Sequence, residues 1–387
     1  MKTIPKYIFF ISVLVFISLG LVSMVARVAL VIIAIYIILG ACYSIHHINK
    51  PLISGITLLL ILNTLYFLVS DKEIFGQTIG HTNTFGFYAN IFLNLGVFYT
   101  TYWMAKTKKL DDNDMLYFFY LMVIASVFRF VHDMTTALET YNTNRTLNIG
   151  YLFVSLVPYL IFVKKKYISI PILLLLLFLI LSTVKRGAVL VFCLSALYYA
   201  KIMYLKPGVK NVIVAVISLV VIVVVGYYLL GNILENNSLF LERFELTKDG
   251  FTNGRDTIYS KIWSAWFNSD SIMNLLFGFG FCSSVGFAGN YAHNDWLELL
   301  STAGLLGIMI YVLYYLQFIS ILNNKTFETD AKHMLILILV ASFITSLMSM
   351  CYCDVDHVVL TLLLGYIIGK NEIKEIVQWK KKKFLEE

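Results

Sequence analysis

Two arginines and a histidine stand out because each falls where an apolar segment begins. Arg186 precedes an apolar run at 187–204, Arg255 precedes Ile258, Ile262, Trp263 and Trp266 at helical spacing, and His293 precedes a run at 296–321, with Asn294 or Asp295 as its N-cap. The first turn of a helix carries unpaired N–H groups and the positive end of the peptide dipole, so arginine there makes a site for phosphate or pyrophosphate. Arginine suits that task because its planar fork grips two phosphate oxygens at once. His293 is the group of the three that titrates near neutrality, so it is the natural base for an attacking hydroxyl, and a pyrophosphate held by Arg186 and Arg255 would be the leaving group. Such a displacement needs no covalent enzyme nucleophile. Each residue also has an ordinary reading. Lys185-Arg186 can be a snorkelling pair at a helix end, Arg255 beside Asp256 a solvated turn, and His293 a capping residue. Asp295 and Glu298 either orient His293 or a sugar, or serve as first-turn acids.

The elements that must position these residues are membrane helices. Of the 387 residues 59% are hydrophobic, 15% aromatic and only 14% charged, and the mean hydropathy is +0.80, too little polar surface to coat a soluble globule. The apolar runs are far longer than the strands of an outer-membrane barrel, so the expected class is all-α and polytopic. Twelve spans are expected near residues 7–25, 28–45, 51–70, 84–105, 115–131, 149–163, 167–184, 187–204, 211–231, 296–321, 334–350 and 357–369. The first run lacks a small-residue cleavage site and reads as a retained signal-anchor. With both termini inside, 20 of the 30 Lys and Arg residues fall on the inner side, ending in the lipid anchor Trp379-Lys-Lys-Lys-Lys383. The net charge of +7 therefore encodes orientation and implies no nucleic-acid partner. The five cysteines (Cys42, Cys193, Cys282, Cys351, Cys353) form no CxxC pair and no zinc spacing.

The expected domains are spans one to nine over 1–231, a long outer loop over 232–295, and spans ten to twelve with a basic tail over 296–387. The loop is too aromatic for a disordered linker, and its stretch after Thr252-Asn253-Gly254 predicts an amphipathic helix at the membrane surface. The glycine-rich stretch 277–289 reads as a turn returning the chain to the tenth span.

Three segments resemble the O-antigen polymerase and O-antigen ligase superfamily of the bacterial envelope. Ser182-Thr-Val-Lys-Arg-Gly-Ala188 resembles its S-x-R-G-A stretch. Asn253-Gly-Arg255, Trp263 and Leu276-Phe-Gly-Phe-Gly-Phe281 resemble its G-R…W…L-F-G-x-G segment. Ala292-His-Asn-Asp-Trp-Leu-Glu-Leu-Leu-Ser-Thr-Ala-Gly-Leu-Leu-Gly307 is similar to its H-N-x-x-L…G-x-x-G signature. The likeness covers roughly a third of the chain, and the first 180 residues match in hydropathy alone.

The resemblance implies an all-α, GT-C-like glycosyltransferase architecture and a metal-independent, inverting glycosyl transfer on the outer face of the bacterial inner membrane, without a cofactor. The donor and acceptor would be undecaprenyl-pyrophosphate-linked oligosaccharides. It implies pyrophosphate binding by the arginines matching Arg186 and Arg255, activation of the acceptor by the histidine matching His293, and supporting places for Lys185, Asn294, Asp295 and Glu298. Membrane lipid, a chain-length regulator and a flippase are the implied partners. The forms around Lys185 and Ala292 look more like polymerases, which join repeat units, than like ligases, which move finished glycan to lipid A core. The rivals are a lipid-linked sugar flippase, disfavoured because ionisable groups are scarce in the spans, and a metal-dependent transferase using Asp354-Val-Asp356-His357, a common triplet.

Overall fold

The computed structural model describes residues 4–19, 23–47, 52–70, 73–74, 77–78, 84–141, 147–183, 185–204 and 254–386. Among them the regular structure is helical, apart from a two-residue antiparallel ladder pairing Glu73 with Thr78 and Ile74 with Gln77. Five stretches are long and apolar enough to cross a membrane: Met24–Ser44, Asp112–Thr136, Arg186–Met203, Asp295–Leu322 and Thr329–Met348. Shorter apolar helices include Ile53–Val69 and Lys166–Ser182. The expected ninth span at 211–231 lies outside the described residues.

The helices in chain order are α1 (Ile4–Leu19), α2 (Met24–Ser44), α3 (Ile53–Val69), α4 (Thr84–Lys106), α5 (Asp112–Tyr141), α6 (Gly150–Ser155), α7 (Lys166–Ser182), α8 (Arg186–Tyr204), α9 (Arg255–Phe267), α10 (Ile272–Phe277), α11 (Ser283–Ala288), α12 (Asp295–Leu322), α13 (Thr329–Met348) and α14 (Val358–Glu386). Two departures from the expected spans have local causes. The sixth, at 149–163, is α6 followed by a 3-10 turn at Val157–Phe162, because Pro158 has no N–H to continue an α-helical ladder. The glycine-rich stretch at 277–289 is not a bare turn. It contains α11, flanked by the left-handed residues Cys282 and Gly289.

The chain forms two compact units that do not follow chain order: Met1–Leu30 with Leu110–Phe251 and Thr329–Ala341, and Val31–Lys109 with Thr252–Glu328 and Ser342–Glu387. In the first, α1 is fastened to α5 by the Lys6–Asp114 ion pair at 2.6 Å and by Phe10 stacked on Phe118. The 3-10 turn buries Tyr159 against Phe119, and the Tyr198 hydroxyl meets His333 Nδ1 at 3.0 Å.

In the second unit, glycines set the helix approaches. A Cβ at Gly365 of α14 would collide with Phe98 O and Thr101 Oγ1 of α4, and one at Gly369 would stand 2.5 Å from Tyr102 O, so the small residues let α4 and α14 pack backbone to backbone. At the end of that seam Lys106 Nζ meets Glu372 at 2.6 Å, and the Tyr102 hydroxyl donates to the same carboxylate. Helix α3 is tied to α12 by Gln317, whose Oε1 accepts from Leu52 N (2.9 Å) and Gly55 N (3.1 Å). Gln317→Leu is expected to orphan both buried donors and cost about 1–3 kcal/mol. The check is the thermal midpoint of the detergent-extracted protein, and an unchanged midpoint would refute the role.

One joint organises the region where the sequence motifs lie. Helix α12 breaks at Gly304 (φ 59°, ψ −149°), and Gly278 after α10 has φ 75° and ψ −166°. Both conformations are essentially closed to residues with a Cβ. Breaking the ladder there turns the carbonyls of Ser301 and Thr302 over to outside donors, and Phe279 N (2.8 Å) and Gly280 N (3.1 Å) take them. A Cβ at Gly278 would stand 2.5 Å from the Thr302–Ala303 backbone, and one at Gly304 would stand 2.6 Å from Gly278 N. The two glycine-rich segments are therefore the two halves of one backbone contact.

Candidate functional site

Arg255, Tyr259, His293 and Asn294 meet in the second unit at the end of α13. The last carbonyls of a helix lack intrahelical donors, and here they are taken by residues of the motifs. Arg255 Nη1 donates to Met348 O, Asn294 Nδ2 donates to Leu347 O at 2.9 Å, and Trp296 Nε1 donates to Ser346 Oγ at 3.1 Å. Because Arg255 and Asn294 cap the same helix end, the heads of α9 and α12 lie side by side.

Tyr259, one turn into α9, bridges them. Its hydroxyl donates to His293 O at 3.3 Å and interacts with the side chains of Arg255 and Asn294. Burial raises its pKa above the ordinary value of a phenol, while the Arg255 charge pulls it down. The hydroxyl thus stays a donor at neutral pH. Tyr259 drew no notice in the sequence, though its position four residues after Arg255 puts the two on one helix face. Tyr259→Phe is expected to cost about 1 kcal/mol of stability. A variant equal to wild type in thermal midpoint would show that the hydroxyl does not join these helix heads.

The local backbone is arranged for these side chains. Helix α9 starts from Gly254 at φ 76°, which leaves it without a side-chain cap, and α8 has no acidic residue in its first turn. An arginine at the first position of each helix adds a cation to the positive dipole end, the reverse of the stabilising placement; at α9 the first-turn Asp256 offsets part of that charge, and at α8 no first-turn acid does. A guanidinium has five donors, more than Met348 O and Tyr259 engage on Arg255. His293 sits at φ 50°, a left-handed conformation that costs a Cβ-bearing residue about 1–2 kcal/mol. Asn294 is the N-cap of α12, its Oδ1 accepting from Leu297 N at 3.0 Å.

The two acids at the head of α12 are fully buried and have definite partners. Asp295 accepts from Cys351 N (2.9 Å), Tyr352 N (3.2 Å) and the Tyr311 hydroxyl (2.6 Å). Glu298 accepts from the Ser284 hydroxyl (2.8 Å) and from Ala292 N (3.0 Å). Of the two roles open in the sequence for these acids, Asp295 holds the turn before α14. Glu298 fixes the backbone immediately ahead of His293 and so influences the histidine through the main chain. Three buried thiols lie in the same region. Burial and neighbouring carboxylates, Glu298 for Cys282 and Asp295 for Cys351 and Cys353, push all three up, so none is a thiolate nucleophile at neutral pH. Asp354 accepts from Asp356 N at 3.1 Å, and the described residues contain no group of three His, Cys, Asp or Glu placed to hold a metal ion.

Arg186 and Lys185 belong to the first unit. Arg186 is half-buried at the head of α8. Lys185 Nζ donates to Asn148 Oδ1 at 2.6 Å and lies over the Tyr151 ring, and Leu147 N donates to Thr183 O at 3.1 Å, so α8 begins against the segment leading into α6. The structure thus brings Arg255, His293 and Asn294 together around Tyr259, with Asp295 and Glu298 beneath them, and sets Lys185 and Arg186 in a separate unit.

Fold and site together define a helical membrane protein, with five candidate spans among the described residues and a cluster of cationic and hydrogen-bonding groups at helix heads. Compared with known proteins, the chain matches no family and no curated sequence.

Proposed function

We propose that the protein is a polysaccharide polymerase of the O-antigen type, a multi-pass enzyme with twelve spans, a GT-C-like architecture and cytoplasmic termini. It acts on the outer face of the bacterial inner membrane. In this reading Arg255 grips the pyrophosphate of a lipid-linked donor, with Arg186 as the second pyrophosphate ligand by the resemblance of its segment. His293 takes the proton from an acceptor hydroxyl. That oxygen forms the new bond to the anomeric carbon as the bond to the pyrophosphate oxygen breaks, with inversion, and undecaprenyl pyrophosphate leaves. The leaving group is already anionic and stable, so neither a carboxylate nucleophile nor a metal is required.

The observation that supports the reading is the meeting of Arg255 and the His293–Asn294 turn at Tyr259, with an arginine and a histidine at adjacent helix heads. A flippase would have no use for a base beside an anion site at a helix head.

The test is deletion in the native host followed by gel analysis of surface glycan and of the lipid-linked pool. The expected result is loss of the ladder with a single repeat unit still on its final acceptor. Long glycan stranded on the carrier beside bare acceptor would instead mean a ligase, and single units retained on the inner leaflet would mean a flippase. Product formation in membranes treated with a chelator is expected to continue, and its loss would overturn the metal-independent mechanism.

A further inference from the structure

The segment joining α9 to α11 presents an apolar surface that packing among the described residues leaves exposed. Ile272 and Met273 of α10 are 67% and 62% exposed, Leu276 and Phe277 are exposed, and Trp263 and Phe267 of α9 extend the patch, their rings stacked 6.1 Å apart. Trp266 Nε1 donates to Leu275 O at 3.1 Å and binds α9 to α10, so the patch is one structured surface. Monomeric soluble surfaces seldom expose so many large apolar side chains together.

Hydrogen bonds fix the height of this surface against two apolar helices. Phe279 N and Gly280 N reach Ser301 O and Thr302 O, six and seven residues into α12, or about 9–11 Å along its axis at 1.5 Å per residue. On the other side the Tyr66 hydroxyl donates to Phe277 O, and Phe281 N donates to Ser70 Oγ at 2.7 Å. Tyr66 lies in the last turn of α3 and Ser70 is its C-cap, where Leu65, Leu68 and Val69 are exposed and apolar. By contrast, Tyr259 of α9 is level with His293, just ahead of the start of α12. The chain therefore descends from the head of α12 at Tyr259 to the level of Ser301 at Phe279, and returns to the head by Ala292. Its apolar patch lies beside the final turn of α3, with exposed Asn268 and Asp270 in the connection between α9 and α10.

We propose that α10, entered from α9, is a re-entrant element dipping into the leaflet at the head of α12, with lipid acyl chains covering Ile272, Met273, Leu276 and Phe277, and with Trp263 and Phe267 at the headgroup boundary beside the exposed Asn268 and Asp270. Irregular backbone is tolerated at that depth because its N–H groups at Phe279, Gly280 and Phe281 are all taken by protein acceptors. The element anchors the head of α9, and so Arg255, at a fixed height above the hydrocarbon. This placement does not depend on the glycosyl-transfer reading.

The test places single cysteines at Met273→Cys, Ile272→Cys and Ser260→Cys in the full chain, with the exposed Cys42 and Cys193 changed to alanine. Each is labelled with bimane and reconstituted in phosphatidylcholine vesicles. Positions 272 and 273 are expected to be quenched several-fold more by phosphatidylcholine carrying a nitroxide high on its acyl chain than by aqueous iodide. Position 260, exposed on α9 near the level of His293, should show the reverse. Iodide quenching at 272 and 273 equal to that at 260 would place α10 in water and overturn the proposal. Protection of 272 and 273 from both quenchers would overturn it too, since a protein surface would then be the cover.

Discussion

Replacing His293 with glycine is expected to leave a folded, membrane-inserted protein that makes no polymer. The reasoning separates backbone from side chain. At φ 50° the native histidine is held where glycine is at ease, so His293→Gly relieves strain of about 1 kcal/mol and does not lower stability. The loss falls on chemistry, since a positioned general base typically supplies about 10²–10⁴-fold in rate. Arg255→Lys is the companion change. Lysine keeps the charge and one donor for Met348 O but has no fork, so the pyrophosphate-binding role predicts a loss of about 10²–10³-fold with α9 still docked. If Arg255 serves only as a cap on α13, lysine suffices and polymer is made normally. Gln317→Leu is the control in the opposite sense, losing about 1–3 kcal/mol through its two orphaned donors while the protein that remains folded keeps its activity. The readouts are the glycan ladder in complemented deletion cells and the amount of protein in the membrane. A wild-type ladder from His293→Gly would exclude it as the base.

The second large effect is on folding. Gly278→Ala and Gly304→Ala are each expected to abolish folded protein. The strain of a Cβ in these conformations is about 1–3 kcal/mol, and the added atom also meets backbone at 2.5–2.6 Å across the joint. Neither helix can retreat without surrendering the bonds from Phe279 and Gly280 to Ser301 and Thr302. Gly289→Asn is the contrast. Gly289 is left-handed at φ 74°, and a Cβ added there would meet nothing within 4 Å, a setting asparagine tolerates. Size-exclusion profiles of extracted protein after graded heating would distinguish them. Gly278→Ala melting together with wild type would show that the joint does not hold this region.

Some of this architecture is written in local sequence. The helix over Arg255–Phe267 follows from the spacing of Ile258, Ile262, Trp263 and Trp266, although Ile262 alone of these four is fully buried. The cap at Asn294 follows from a short polar residue ahead of an apolar run. The broken sixth helix had a visible sign in Pro158, yet an apolar run reads as a span whether or not its ladder is α-helical. The helices α10 and α11 had little signal, being six residues each between glycines.

The candidate site divides in the same way. Arg255 and His293 were legible because each is an ionisable residue beside an apolar segment, whereas Arg186, singled out on the same ground, lies in the first unit. Tyr259 was not, because a tyrosine in an aromatic-rich chain is unremarkable until its hydroxyl is seen between Arg255, Asn294 and the His293 carbonyl. The acids were legible only as first-turn residues. That Asp295 serves the backbone at Cys351 and Tyr352, and Glu298 the backbone at Ala292, depends on chain segments brought together by packing.

The sequence by itself determined that this is a helical membrane protein and where several of its helices begin, because apolar run length and capping act over a few neighbouring residues. The tertiary structure alone decided that the two glycine-rich segments form one joint, that Arg255 and Asn294 share the end of α13, and which backbone each buried acid holds. Those outcomes rest on hydrogen bonds between residues far apart in the chain, and a main-chain donor or acceptor leaves no mark in the identity of its residue.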